Sequence, residues 1–304
     1  MTQYFLGVDG GQSSTTAIVS DETGRVLSIG TGGPCNHVKT GDGRAKFENA
    51  ILGCLKDKAK FHFRAVCLGF SGGPKDKEVL VRQMISADEY SVTNDGIIAL
   101  IGATGGEPGI IVVAGTGSIA YGRNARGETA RAGGWGYIYG DEGGAFDIVR
   151  EAVRAALRAE EGWGPATVLS AKLLAATASE SANDLMHRFY TTDFPRPQIA
   201  SYSKLIDEAA KEGDRIAIEI LNRAAQQLAL FAASVRATLF GPQDNPVVCP
   251  VGNVYKSEIL RARFEMLTGN CRDPLYGPAS GALLEAWRIG GISPGTAFLP
   301  RAEK

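Results

Sequence analysis

Two copies of a glycine-rich hairpin pattern, about a hundred residues apart, constrain this chain more than any other feature. The first copy is an apolar run at 4–8, the turn Asp9-Gly10-Gly11-Gln12-Ser13-Ser14 and a second run at 15–19. The second copy is a run at 110–114, the turn Gly115-Thr116-Gly117-Ser118 and a run at 119–122. Short apolar runs bounded by glycine and Asn/Asp clusters predict β-hairpins, and glycine lets backbone N–H groups approach an anion. The repeat therefore predicts two facing hairpins that could grip one polyphosphate.

Composition supports a soluble protein that handles small molecules. The chain has 304 residues, enough for two domains, and its 39 glycines are nearly twice the usual share of about 7%. A net charge of -1 gives no electrostatic case for a nucleic-acid or membrane partner. The N-terminus lacks a basic segment, and the longest uncharged apolar stretch, 109–122, is too short to span a bilayer. We therefore expect a cytoplasmic location.

The cysteine pattern favours no metal or disulfide site. Five cysteines without CxxC spacing form neither a disulfide framework nor a zinc motif. Most are expected to be small core residues.

The pattern of apolar residues predicts two α/β domains, at 1–104 and 105–304, with a hinge between them over a cleft. Helical spacing predicts helices near 47–55, 79–84 and 96–103 in the first domain, and helical insertions at 143–160, 167–178, 202–211 and 215–239 in the second. A strand at 246–251 and helices at 257–267 and 279–287 follow. The last ~12 residues are candidates to pack on the first domain.

Asp9 is a candidate metal-associated residue. It ends an apolar strand, where a carboxylate is unexpected, beside a turn that suits phosphate. A Mg²⁺ ion held through water fits such a carboxylate, although a plain hairpin turn would also account for the pattern.

The second turn also matches a dinucleotide fingerprint, G-x-G-x-x-A, at 115–120. That motif requires a helix next, whereas a strand and a turn with two glycines follow at 121–127. The phosphate hairpin is therefore the favoured interpretation.

Asp95 lies where a strand at 91–93 gives way to a helix. It could be the helix N-cap, and capping is compatible with catalysis because an Asp at a helix N-terminus stays ionised and can accept a proton.

The segment 133–144 combines three aromatic residues with six glycines and ends in Asp141 and Glu142. Aromatic faces beside carboxylates are typical of sugar sites, whereas a simple helix cap would use only one of the acids. Two further loops follow strands, as ligand-binding loops of α/β sheets do: Asn36-His37 and Ser71-Gly72-Gly73.

Taken in order, these motifs, together with Gly252-Asn253, resemble the N-acetylglucosamine kinases of the BadF/BadG/BcrA/BcrD ATPase family, within the actin-like, hexokinase-like and Hsp70-like ATPases. The resemblance covers nearly the whole chain. It implies two actin-like, ribonuclease H-like domains, ATP and Mg²⁺ as cofactors, and a homodimer.

The resemblance also implies roles for residues. It implies that Asp95 is the catalytic base. It implies that ATP is bound by Asp9, Gly10, Gly11, Gln12, Ser13, Ser14, Gly115, Thr116, Gly117, Ser118, Gly252 and Asn253. It implies that the sugar is bound by Asn36, His37, Ser71, Gly72, Asp95, Gly134, Trp135 and Asp141. Which of Gln12, Ser13 and Ser14 meets phosphate stays open, and Val38 stands where the family often has an aromatic residue.

The function expected is transfer of the γ-phosphoryl of ATP to the 6-hydroxyl of an amino sugar, N-acetylglucosamine first and glucosamine or another hexosamine second. Two other functions remain open. One is an ATP-driven activator of a radical dehydratase, which would need cysteines around an iron–sulfur cluster in a glycine-rich segment. The other is a non-catalytic sugar or nucleotide sensor.

Overall fold

A computed structural model of the chain describes residues 2–35, 38–39, 41–191 and 194–302. Its nine strands are β1 (Tyr4–Gly10), β2 (Thr15–Asp21), β3 (Val26–Gly32), β4 (His62–Phe70), β5 (Ser86–Asn94), β6 (Gly109–Ala114), β7 (Ser118–Arg123), β8 (Thr129–Gly133) and β9 (Val247–Val251). Its helices are α1 (Gly43–Leu55), α2 (Glu78–Met84), α3 (Asp95–Thr104), α4 (Ala145–Glu160), α5 (Leu169–Thr177), α6 (Ala182–Phe189), α7 (Arg196–Ser201), α8 (Ser203–Lys211), α9 (Arg215–Leu239), α10 (Glu258–Thr268) and α11 (Pro278–Ile289).

The chain divides into two compact units. The first unit comprises Met1–Gly109 and Asp273–Lys304, and the second comprises Ile110–Arg272. The first boundary lies five residues beyond the expected one, and the whole segment from Asp273 onward belongs to the first unit, not only its last ~12 residues. The reason is α11, which packs on β1, β4 and α3.

The sheet of the first unit has the strand order β3-β2-β1-β4-β5. The strands β1, β2 and β3 pair antiparallel, while β1, β4 and β5 run parallel. In the parallel register Gly10 pairs with Phe70, and Phe70 pairs with Asn94. The carboxyl ends of three strands therefore meet at one edge, which carries Asp9, Ser71 and Asp95.

Close helix packing joins α11 to the first unit. A Cβ on Gly281 of α11 would overlap the carbonyl oxygen of Ile98 and the amide nitrogen of Gly102, both in α3. Glycine is required at this crossing because the two backbones touch. At the other end of α11 the indole Nε1 of Trp287 donates a 2.8 Å hydrogen bond to Ser20 Oγ in β2.

The second unit has the strand order β8-β7-β6-β9 and a helical layer. Its longest helix, α9, has 25 residues, as the apolar spacing predicts, and buries Leu221, Leu228 and Val235 against α4 and α10. The start of α4 binds the turn after β6 through backbone N–H groups, and Asp147 of its first turn accepts a hydrogen bond from the N–H of Gly143 in the loop after β8.

Most predicted elements are present, but β8, α6 and α7 were not predicted, and β3 was expected only as a strand without bounds before the Asn36-His37 loop. The strand β3 has small residues and two glycines, with half-buried and exposed positions alternating, so its sequence carries little apolar signal. The helices α6 and α7 have only eight and six residues, too short for a periodicity to register.

Four of the five cysteines are buried, as expected for core residues, and Cys271 is partly exposed. Within the described ranges, no helix has the length and apolar character needed to cross a membrane.

Candidate active site

The first unit carries one candidate site, at the carboxyl edge of β1, β4 and β5. Ser71, directly after β4, donates a 2.5 Å hydrogen bond from Oγ to Asp95 Oδ2. Its backbone N–H donates to the carbonyl of Gly10 at 3.1 Å. These bonds tie together three loops that the sequence treats as separate motifs.

Asp95 is not the helix N-cap. The cap of α3 is Asn94, whose Oδ1 accepts from the N–H of Ile97 at 3.0 Å. Asp95 is the first helical residue, and its Oδ1 accepts from the N–H of Gly96 at 2.9 Å. The capping role falls to the neighbour, so the carboxylate of Asp95 is left to face Ser71.

Asp9 is an acid in an unfavourable environment. Burial first, and then the charge of Asp95, raise its pKa from 3.8 to about 6. Two nearby carboxylates, one of them desolvated, are a pair whose repulsion a divalent cation would relieve, so the residues fit the expected Mg²⁺. The described residues contain no cluster of three or more acidic, His or Cys side chains that could bind a metal directly.

The turn after β1 is compact. The N–H of Gly11 donates to the carbonyl of Ser14 at 2.9 Å, and the side chains of Gln12, Ser13 and Ser14 are exposed. The carbonyl of Gly11 accepts from the N–H of Cys35 at 3.0 Å. The predicted sugar residues Asn36 and His37 come next in the chain and lie outside the described residues.

A buried lysine supports the loop that carries Ser71 and Gly72. Lys77 is 2% exposed, and its ammonium donates to the carbonyls of Gly73 at 2.9 Å and Ser71 at 3.4 Å. A weaker contact joins it to Asp76 Oδ1 at 3.4 Å. The sequence did not single out Lys77, because its position in a polar stretch is typical of a surface residue.

The second unit carries its own candidate site, the turn between β6 and β7. The first amides of α4 donate to this turn: Ala145 N–H to the carbonyl of Gly115 at 2.8 Å and Phe146 N–H to that of Thr116 at 3.1 Å. Ser118 is buried, and its hydroxyl donates to the carbonyl of Glu142 at 2.6 Å. The turn is therefore held from the α4 side, and Ser118 anchors it instead of offering a free hydroxyl.

Asp141 is strained and buried. Its φ of 60° lies in the left-handed region, which is costly for a residue other than glycine, and it is 6% exposed. Its Oδ2 accepts a 2.5 Å hydrogen bond from Arg196 Nη2. The carboxylate packs against Gly117 so closely that a Cβ there would overlap it. Asp141 thus lies directly at the second turn.

The aromatic segment before Asp141 is partly exposed. The N–H of Gly134 donates to the carbonyl of Ser118 at 3.0 Å, and Trp135 is 68% exposed. The guanidinium of Arg131 lies 5.1 Å from the centre of a Trp135 ring. The segment presents an aromatic face and a cation next to the second turn.

A cavity of about 420 Å³ in the second unit has Asn253 in its wall. Asp207 of α8 also lines it, with Lys211 paired to Asp207 Oδ2 at 2.8 Å. The other oxygen, Asp207 Oδ1, is buried and has no hydrogen-bond partner in the part of the chain that the structure describes. The sequence pointed to Gly252 and Asn253 but not to Asp207, which the fold brings there from 46 positions away.

Known proteins resemble this chain over most of its length. The family model "BadF/BadG/BcrA/BcrD ATPase family" matches residues 6–286. An N-acetylmuramic acid/N-acetylglucosamine kinase of Clostridium acetobutylicum is 34% identical, over 83% of this chain and 85% of that protein. An N-acetyl-D-glucosamine kinase of Dictyostelium discoideum is 30% identical, over 85% of this chain and 88% of that protein.

Solved structures show the same fold. A protein assigned as an N-acetylglucosamine kinase from Chromobacterium violaceum superposes with a TM-score of 0.69 at 26% identity, covering 93% of this chain and 98% of that one. A ROK family glucokinase from Streptomyces griseus, solved with glucose and AMPPNP, gives a TM-score of 0.53 at 18% identity, covering 93% and 98%. The expected two-domain actin-like fold is therefore confirmed. On the extent of these matches, the chain belongs to the BadF/BadG/BcrA/BcrD ATPase family.

Proposed function

We propose that the protein is an ATP-dependent kinase that phosphorylates the 6-hydroxyl of N-acetylglucosamine. The observation that carries the proposal is the acid Asp95, presented at a strand–helix junction and hydrogen bonded to Ser71. Both kinases named above support the substrate class. Glucosamine or another hexosamine is the alternative substrate.

Asp95 would act as the base. A carboxylate at this place can orient a sugar hydroxyl and accept its proton as the oxygen attacks the γ-phosphorus. Ser71 would fix the rotamer of Asp95 and yield its hydrogen bond when the hydroxyl arrives. Most of the remaining rate enhancement would come from holding the reactants in place.

The phosphates of ATP would lie on the two glycine-rich turns, 10–14 and 115–118. Asp9 would hold Mg²⁺ through water, and the ion would neutralise phosphate charge when bound. Asp9 is suited to this role because its buried charge gains a partner when the cation binds.

The adenosine of ATP would occupy the cavity beside Gly252 and Asn253. The volume of about 420 Å³ is within the usual range of roughly 300–1,000 Å³ for ligand pockets. Asp207 Oδ1 has no hydrogen-bond partner among the described residues and would accept from a ribose hydroxyl or the adenine amino group.

The sugar would be bound by Asn36, His37, Ser71, Gly72, Gly134, Trp135 and Asp141. Trp135 offers an apolar face for the sugar ring. The polar groups of the site give selectivity, because a sugar without the matching group would leave them unpaired.

A coupled ADP-release assay on N-acetylglucosamine, glucosamine and glucose at saturating Mg-ATP tests the proposal. We expect kcat/KM for N-acetylglucosamine to exceed that for glucose at least ~10-fold. An equal kcat/KM for glucose would contradict the amino-sugar assignment. A higher kcat/KM for glucosamine would make glucosamine the assigned substrate. No sugar-dependent ADP release with any hexosamine would favour the activator or the sensor.

N-acetylmuramic acid is a second candidate substrate. It carries a lactyl carboxylate, and Arg131 places a cation over Trp135 in the proposed sugar site. Arg131→Gln should then lower kcat/KM for N-acetylmuramic acid about 10-fold more than for N-acetylglucosamine. Arg158→Gln is the matched control, because Arg158 lies 5.1 Å over exposed Trp163 in the same manner, away from this site.

The proposal also includes a cytoplasmic location, where ATP is available, and a homodimer. Sedimentation equilibrium of the purified protein checks the dimer, and a monomer at micromolar concentration would contradict it.

A further inference from the structure

The ion pair between Arg196 and Asp141 lies where the proposed function needs positive charge. Arg196 begins α7, and Asp141 precedes α4, so the pair joins two elements 55 positions apart. A Cβ on Gly117 would overlap the Asp141 carboxylate and lie 2.9 Å from Arg196 Nη2. Both charges therefore touch the backbone of the second turn.

A carboxylate at a phosphate-binding turn is unfavourable by itself. Asp141 is buried, and its negative charge would repel a polyphosphate bound at 115–118. Arg196 offsets that charge through the 2.5 Å hydrogen bond. The turn can accept a polyanion because the acid beside it is neutralised.

Arg196 has donor capacity left over. Its Nε is buried and has no hydrogen-bond partner among residues 2–35, 38–39, 41–191 and 194–302. The guanidinium lies over Tyr137, 5.0 Å from the ring centre, and near Phe146 at 5.9 Å, which restricts its motion. The side chain is 35% exposed, so it is open to a ligand on one side. A planar guanidinium with several N–H groups suits phosphate oxygens.

We infer that Arg196 is a phosphate-binding residue of this site: it neutralises Asp141 and donates to the terminal phosphates of the nucleotide at Gly115–Ser118. The inference rests on the proposed phosphate role of this turn. It assigns a ligand contact to a helix that the sequence did not predict.

Calorimetry on the sugar-free protein tests it, with Mg-AMPPNP, Mg-ADP and AMP as ligands. We expect Arg196→Gln to weaken Mg-AMPPNP binding at least ~10-fold more than AMP binding. The affinity of Arg196→Lys for Mg-AMPPNP should lie between those of the wild type and Arg196→Gln, because lysine keeps the positive charge but lacks the paired N–H donors of the guanidinium. The control is Arg154→Gln, which removes an exposed arginine paired to Glu151 in the same unit. It should bind all three ligands as the wild type does.

A second comparison separates contact from charge compensation. If Arg196 touches phosphate, Asp141→Asn/Arg196→Gln binds Mg-AMPPNP at least ~10-fold more weakly than Asp141→Asn alone. Equal affinities of these two variants, or an equal loss for AMP and Mg-AMPPNP in Arg196→Gln, would overturn the inference. If the wild-type protein binds nucleotide but releases no ADP in response to sugar, the proposed kinase function is contradicted. The inference about Arg196 is still tested in that case, because these titrations need no sugar.

Discussion

Ser71 and Asp95, which follow neighbouring parallel strands, share a 2.5 Å hydrogen bond from Oγ to Oδ2. The register that pairs Phe70 with Asn94 brings them together, so the sheet itself fixes the geometry of the proposed base. The bond orients one oxygen of Asp95, while the N–H of Gly96 fixes the other.

Asp95→Asn should lower turnover by roughly 10² or more, because an amide cannot accept the proton of the sugar hydroxyl. Sugar affinity, measured by calorimetry, and the melting temperature should change little, since Asn94 and not Asp95 caps α3. Asn94→Ala is the companion variant: losing the cap should destabilise the fold by about 1 kcal/mol. Turnover of Asp95→Asn near that of the wild type would remove Asp95 from the mechanism.

Asp9→Asn should stabilise the nucleotide-free protein at neutral pH. The folded-state pKa of about 6 lies above the ordinary 3.8, so ionised Asp9 costs the folded state free energy. The stability contributed by the protonated acid is present below about pH 4 and lost as the pH rises through 6. Above pH 6 the variant should be more stable by on the order of 2 kcal/mol, and the two proteins should converge below pH 4.

Urea unfolding between pH 4 and 8 measures this difference. Asp21→Asn is a control of opposite sign, because hydrogen bonds from Thr23 and Arg25 more than offset desolvation and lower the pKa of Asp21. Its loss should destabilise the protein above pH 4 and not below. Asp9→Asn should also lose use of Mg-ATP. A variant less stable than the wild type at pH 7 would contradict the account of Asp9.

Gly117→Ala should destabilise the second turn, because the new methyl group would overlap the Asp141 carboxylate in a region that already contains the Arg196 ion pair. We expect a loss of roughly 1–3 kcal/mol. Gly115→Ala is the matched control, since its Cβ meets no described atom within 4 Å. Thermal melting of both variants measures this loss of stability. Equal melting temperatures would show that the turn accommodates the methyl group without destabilising the protein.

Lys77→Met should impair the Ser71 loop. It removes the donor that binds the carbonyls of Gly73 and Ser71, which lie in a partly buried place. The kcat should fall more than KM for ATP rises, because the loop touches Asp95. Lys77→Arg keeps donors and should recover part of the activity. If Lys77→Met has the same kcat as the wild type, Lys77 has no role in catalysis.

The sequence predicted elements whose signal is local. The helix at 215–239 was predicted with the bounds that the structure shows, because its amphipathic period is long. The sequence proposed Asp95 as a site residue but did not identify its neighbour Asn94 as the cap of α3, since adjacent Asn and Asp both suit that position. Arg196 and Lys77 could not be found, because their importance arises from contacts made across the fold.

The position of α11 bears on how the chain folds as it is synthesised. The second unit is one continuous segment, Ile110–Arg272, and can close its core before α11 leaves the ribosome. The first unit cannot, because Leu283 and Trp287 of α11 complete the cluster that contains Phe5 and Ile18. The sheet β1–β5, which is translated before the second unit, therefore keeps one apolar face open until α11 is made.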